Sequence, residues 1–299
     1  MHIGGRRLRY VVRNPGVFWL SVLRAFRANQ ALLLAGALAY YLLLSIVPLL
    51  ILMWIVLSRF VDRGVLLATL GDYLEQLVPG QSSAILDELY RFSSQSGGIS
   101  WVLLGTLVFF SSLAFSVLEK SMSVIFQYRM DSQRRHFAIS AIIPYLYIVL
   151  VALGLLVMTL ISGGLQAIGA EYIDVFGHPW SLRGLSGALI YLLGVVSEII
   201  LLTSLYVIMP AGRQRWRYAL VGATAATVAW ELIRHVLGWY FHIRSQVGFV
   251  YGSLTSAIVI LTSFEIFSIL LLFGAQVIAE YERIGSEHDV PPLSSPTIQ

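Results

Sequence analysis

The sequence predicts an all-α, polytopic integral membrane protein. It has six transmembrane helices with both termini cytoplasmic, a short amphipathic N-terminal helix and a small helical extracytoplasmic cap. Three observations lead there. Of 299 residues, 58% are hydrophobic and 12% charged, with mean hydropathy +0.79, whereas a soluble domain carries about 25% charged residues. Six apolar runs are each long enough to approach or cross a hydrocarbon core of about 30 Å. Most Lys and Arg lie on one side of those runs.

In chain order, residues 1–28 form a basic cytoplasmic tail with an amphipathic helix. Arg6, Arg7, Arg9 and Arg13 precede Pro15 to Arg27, where Trp19, Leu20, Val22, Leu23 and Phe26 stand against Ser21, Arg24 and Arg27. That helix is too short to span; it suits the headgroup region or the inner end of a bundle. No signal-peptide cleavage pattern follows the arginines, so this segment is expected to stay attached. Residues 29–282 form the membrane domain. Its first span, Gln30 to Leu57, contains Pro48, which removes a backbone donor and crowds the Leu44 carbonyl, predicting a kink near Ser45.

Residues 61–98 are the sizeable extramembrane segment. Leu66, Leu70, Tyr73, Leu74 and Leu77 are at helical spacing, Pro79-Gly80 breaks the pattern, and Ile85, Leu89 and Phe92 resume it. The remaining spans are Ile99 to Leu118, Phe137 to Gly163, Leu185 to Met209, Tyr218 to Phe241 and Ser253 to Ala279. Residues 283–299, with Pro291, Pro292 and Pro296 among polar neighbours, read as a disordered cytoplasmic tail.

Of the 20 Lys and Arg, fourteen lie on the side of the termini, five on the other (Arg59, Arg63, Arg91, Arg183, Arg244), and Arg234 lies within a span. The excess places both termini in the cytoplasm. The net charge of +4 therefore reflects topology, and Arg213-Gln214-Arg215-Trp216-Arg217 is a membrane anchor rather than a nucleic-acid patch.

The chemistry is expected inside the membrane. Glu198, Glu231 and Glu265 fall near the middle of three consecutive spans, within roughly one helical turn, about 5 Å, of one depth. On the fifth span Thr224, Thr227, Glu231, Arg234, His235, Gly238 and His242 recur every three or four residues, forming a polar stripe. A charge at mid-bilayer costs at least about 2.5–3.5 kcal/mol, so such residues face protein, water or a substrate path. Either an internal ion pair locks the helices, or Arg234 binds an anion while carboxylates carry protons or a cation. Tyr41 and Ser45 of the first span are candidate cavity residues.

Enzyme classes find little support. No cysteine is present, which excludes disulfides, thiolate metal sites and a Cys nucleophile. No phosphate-binding, dinucleotide or nucleophile-elbow fingerprint occurs, and Glu231, His235 and His242, although on one face, are not in the HExxH order of a zinc site. No catalytic residue, metal or cofactor is expected. The expected partners are membrane lipids, an anionic or lipid-like substrate, and a second copy or an envelope protein, the last docking on the cap in the alternative, non-transport reading. A lipid-modifying enzyme is the third reading.

Gly36-Ala37-Leu38-Ala39-Tyr40-Tyr41 with Leu43-Leu44-Ser45 and Pro48-Leu49, Tyr251-Gly252-Ser253-Leu254 with Ala257-Ile258-Val259, and Phe273-Gly274-Ala275 with Glu280 resemble the YihY/BrkB family of bacterial inner-membrane proteins. The resemblance runs from about Arg24 to Glu282. It implies a six-helix protein of the bacterial inner membrane, linked by family name to virulence. Phe264-Glu265 stands where the family usually has an aromatic pair. A ribonuclease label once attached to part of the family finds no counterpart here, because the carboxylates are placed at mid-membrane rather than at a solvated metal site.

Overall fold

The computed structural model describes residues 13–60, 62–78, 80–94, 101–126, parts of 145–161, 172–175, 178–181, 183–210, 214–243 and 255–287. Helix α1, Pro15–Ala28, starts on a proline and buries Phe18, Val22 and Phe26. Gln30 adopts a left-handed conformation (φ 50°), which ends α1 and re-aims the chain into α2, Ala31–Leu57. The joint is fastened by Asn29 Nδ2, which donates to the buried Gln276 Oε1 at 2.9 Å. Trp19 stacks on Phe273 with ring centroids 5.9 Å apart, so α1 packs on the end of the bundle opposite the cap. Trp19, Leu20 and Leu23 remain exposed beside Arg24 and Arg27, as an interfacial helix requires.

The cap is a helical hairpin, α3 (Arg63–Leu77) and α4 (Ser82–Ser94). Asp62 caps α3 by accepting from Gly64 N at 2.8 Å. Glu75 closes the turn by accepting from Gly80 N and Ser82 Oγ, both at 2.6 Å. Gly80 has φ 72°, a conformation that suits glycine. Leu66, Leu70, Leu74, Val78, Ile85 and Leu89 pack in one cluster with Leu50, Trp54 and Leu57 of α2. The cap's apolar residues are thus engaged with the bundle.

Helix α5, Trp101–Ile125, runs about two turns beyond the predicted end at Leu118, because Met122, Ile125 and the following Phe126 are buried. An apolar helical segment, Tyr145–Met158, is the described part of the predicted span 137–163; the rest lies outside the described residues, as do residues 1–12 and 288–299. A departure from helix follows: strands β1 (Tyr172–Val175) and β2 (His178–Ser181) pair antiparallel, Tyr172 opposite Ser181 and Val175 opposite His178. Then come α6 (Arg183–Ile208), α7 (Trp216–Ile243) and α8 (Thr255–Glu287). Helix α8 carries helical structure into the stretch expected to be tail.

Helix α2 lies between α5 and α8, and α7 lies between α6 and α8. Among the described residues four helices are long and apolar enough to cross a membrane: Ala31–Leu57, Trp101–Ile125, Gly187–Ile208 and Ala257–Ile284. Helix α7, which carries Glu231 and Arg234, is not among these four. It is packed between α6 and α8. Gly222 and Gly274 meet there: a Cβ on Gly222 would lie 2.5 Å from the Gly274 carbonyl oxygen, and one on Gly274 would lie 2.9 Å from the Gly222 carbonyl oxygen. Small residues permit such backbone approach, which maximises van der Waals contact where lipid supplies no hydrophobic driving force. The fully buried Tyr206 of α6 completes the crossing by donating to the Leu271 carbonyl of α8 at 2.7 Å.

Candidate functional site

Helices α6 and α7 bring together the polar groups that their apolar surroundings isolate. Arg234 Nη2 donates to Glu231 Oε2 at 2.6 Å, with the side chains 18% and 16% exposed. The i, i+3 spacing makes the two neighbours on one helix surface. Tyr191 of α6 donates its hydroxyl to the same Oε2 at 2.8 Å. Two donors converge on one carboxylate oxygen, while Oε1 has no hydrogen-bond partner among the described residues. His235 Nδ1 lies 2.6 Å from the Glu231 carbonyl oxygen. A carbonyl only accepts, so Nδ1 carries the proton and the exposed ring presents Nε2 outward.

Glu198 lies seven residues beyond Tyr191, two turns along the same face of α6. Its carboxyl is partly buried and within electrostatic range of Glu231 and Arg234. The α6–α7 contact face thus holds two carboxylates against one guanidinium. Its flanks are apolar and outward-facing: Leu192, Val196 and Ile200 on α6, and Val228, Leu232 and Val236 on α7, are exposed. The polar centre thus lies beside a surface of exposed apolar side chains.

Not every expected residue joins it. Glu265 is exposed, while its neighbours Ser263 and Phe264 are buried. Position along a span fixes depth but not direction, and Glu265 shares the outward face of Leu261, four residues earlier, rather than the face toward α7. The α7 stripe is also divided. Thr227 is buried, whereas Thr224 is exposed and donates to the Leu220 carbonyl of its own helix. Gly238 and His242 have no described side-chain surroundings. Tyr41 is half-buried, edge-on to Tyr40 at 5.3 Å, and belongs to α2.

Ser45 is part of the core, in another place. Its hydroxyl donates to the Phe110 carbonyl at 2.8 Å and accepts from Ala114 N at 3.2 Å. Phe110 and Ala114 are the partners of one i, i+4 rung of α5, so Ser45 ties α2 into the α5 ladder three residues before Pro48. Tyr191 escaped the sequence reading; the signal that could have found it is its seven-residue spacing from Glu198. Among the described residues no three His, Asp or Glu side chains converge to hold a metal ion.

Known proteins agree with the membrane architecture. The chain is 27% identical to a UPF0761 membrane protein of Alkalilimnicola ehrlichii over 88% of its own length and 58% of the relative's. It is 24% identical to a UPF0761 membrane protein of Azotobacter vinelandii over 87% and 62%, and 26% identical to one of Aliivibrio salmonicida over 91% and 86%. The chain therefore spans about three-fifths of the length of the first two relatives and most of the third. No solved structure matches. The profile of the family described as Virulence factor BrkB matches residues 22–296, nearly the whole chain, and the protein is a multi-pass membrane protein belonging to that family.

Proposed function

We propose that the protein moves an amphiphile with an anionic headgroup, a lipid or envelope precursor, across the bacterial inner membrane by way of the α6–α7 contact face. The observation that carries this reading is the Arg234–Glu231–Tyr191 contact at the edge of a lipid-facing surface, with Glu198 close by. A guanidinium is the side chain best shaped to take a phosphate or carboxylate through paired N–H donors. At rest Glu231 occupies that role. An arriving anionic headgroup competes with Glu231 for Arg234, and a proton taken up by the two carboxylates weakens their hold on the guanidinium. Protonation and headgroup binding are then favourable together, which couples movement to protons. Because the contact face lies beside exposed apolar side chains, the tail need not leave the hydrocarbon during passage.

The test uses the full-length protein in vesicles containing a trace of phosphatidylglycerol with a fluorescent headgroup label, quenched from outside. Transfer between leaflets is expected with the native protein. Arg234→Ala is expected to slow it at least about tenfold, the effect of losing a charged hydrogen bond of about 1.5–3 kcal/mol, while the protein still elutes as a folded species. Transfer equal to that of empty vesicles, or undiminished transfer in Arg234→Ala, overturns the proposal.

A further inference from the structure

A cleft of ≈ 70 Å³ lies at mid-bundle between α2, α5 and α8, lined among others by Leu42, Ile46 and Leu49, by Ser111 and Phe115, and by Phe267. It sits where the cluster around the cap meets the cluster at the opposite end, since of its lining Leu38 and Leu271 belong to one and Ile46 and Leu49 pack against the other. The Pro48 segment of α2 forms its wall. The cleft exceeds the roughly 10–15 Å³ that a single water needs by this measure.

Water is a poor occupant. A buried water needs two to four polar partners, and the two lining hydroxyls are already engaged. Ser45 bonds Phe110 and Ala114, and Ser111 donates to the Val108 carbonyl at 2.9 Å. Left void, the lining would forfeit its contacts on one side. Leu42, Ile46, Leu49 and Phe115 at its rim are only partly buried, and all belong to helices that cross the hydrocarbon. The solvent at that rim is acyl chain.

The cleft also adjoins the polar contact face. Phe267, one of its walls, meets Trp230 edge-on with centroids 5.7 Å apart and an interplanar angle of 85°. Trp230 immediately precedes Glu231. One aromatic pair therefore separates an apolar slot from the Glu231–Arg234 contact. We infer that the slot holds the end segment of an acyl chain of a membrane phospholipid, with the Trp230–Phe267 pair as the partition between tail and headgroup sites. The pairing of the two sites rests on the proposed headgroup role of the contact face; occupancy of the slot does not.

The experiment reconstitutes the full-length protein in phosphatidylethanolamine–phosphatidylglycerol vesicles with a trace of phosphatidylglycerol bearing a photoreactive diazirine at the acyl terminus, and maps adducts by mass spectrometry. Adducts on Leu42, Ile46, Ser111 or Phe115 are expected, beside those on lipid-facing Leu192 and Leu232. Ala114→Leu fills the slot and is expected to cut the slot adducts about tenfold, equivalent to about 1.4 kcal/mol of binding, leaving the lipid-facing adducts unchanged. Leu42→Trp, at the rim, serves the same purpose should Ala114→Leu fail to fold. Arg234→Ala is expected to keep the slot adducts, so loss of flux and loss of tail binding are read separately. Native adducts confined to the outward faces, or slot adducts unaltered in both filling variants, overturn the inference even if flux is intact.

Discussion

Ser45 shows how one hydroxyl can be legible as a position and not as a role. Its place beside Pro48 marked it as a cavity residue, and it does line the cleft, but its atoms serve the α2–α5 junction. Ser45→Ala lets the Phe110 carbonyl and Ala114 N–H pair directly, so the loss in stability should be small, about 0.6–1 kcal/mol, as for other interhelical hydrogen bonds in membranes. Equilibrium unfolding in mixed micelles measures it; a loss several-fold larger would mean that α5 cannot close its own rung. The Glu231–Arg234 pair was legible because three residues on a helix always make neighbours. Tyr191 went unnoticed and Glu265 was grouped with the other two carboxylates for the same physical reason: sequence position gives height along a span, and only packing gives the angle around each helix.

Among the described residues α2, α6 and α7 end within two residues of the expected bounds, whereas α5 and α8 run on. Hydropathy stops where hydrocarbon stops, at Glu119-Lys120 and near Glu280, whereas a helix stops where its packing stops. Helices α5 and α8 continue because Met122, Ile125 and Tyr281 are still buried. The α7–α8 crossing was invisible in composition, since Gly222 and Gly274 are two of 25 glycines and only the backbone approach sets them apart. Gly222→Ala places a methyl against Ile278 and the Gly274 carbonyl and should destabilise by about 1–3 kcal/mol, the range for overpacking. Gly36→Ala, with nothing within 4 Å of the added carbon, should be neutral or stabilising by about 0.5–1 kcal/mol. Thermal unfolding of the two variants side by side decides it, and equal behaviour would contradict the close crossing.

At the scale of the molecule, the charge asymmetry makes a prediction that the missing cysteines render easy to check. Ser83→Cys, exposed on the cap, should react with a membrane-impermeant maleimide in spheroplasts, while Arg24→Cys, exposed on α1, should react only after permeabilisation. The reverse pattern would invert the orientation. The bundle places α7, with its Glu231–Arg234 contact, between α6 and α8, and this bears on how the protein is made. Helix α7 carries Glu231 and Arg234, each of which burdens entry into lipid by about 2.5–3.5 kcal/mol. As α7 leaves the ribosome, α6 has just been synthesised and supplies Tyr191, but α8, with Gly274, does not yet exist. Helix α7 is therefore expected to settle only when α8 arrives to cover its glycine face. The half-buried Glu–Arg contact thus bears on the order of assembly as well.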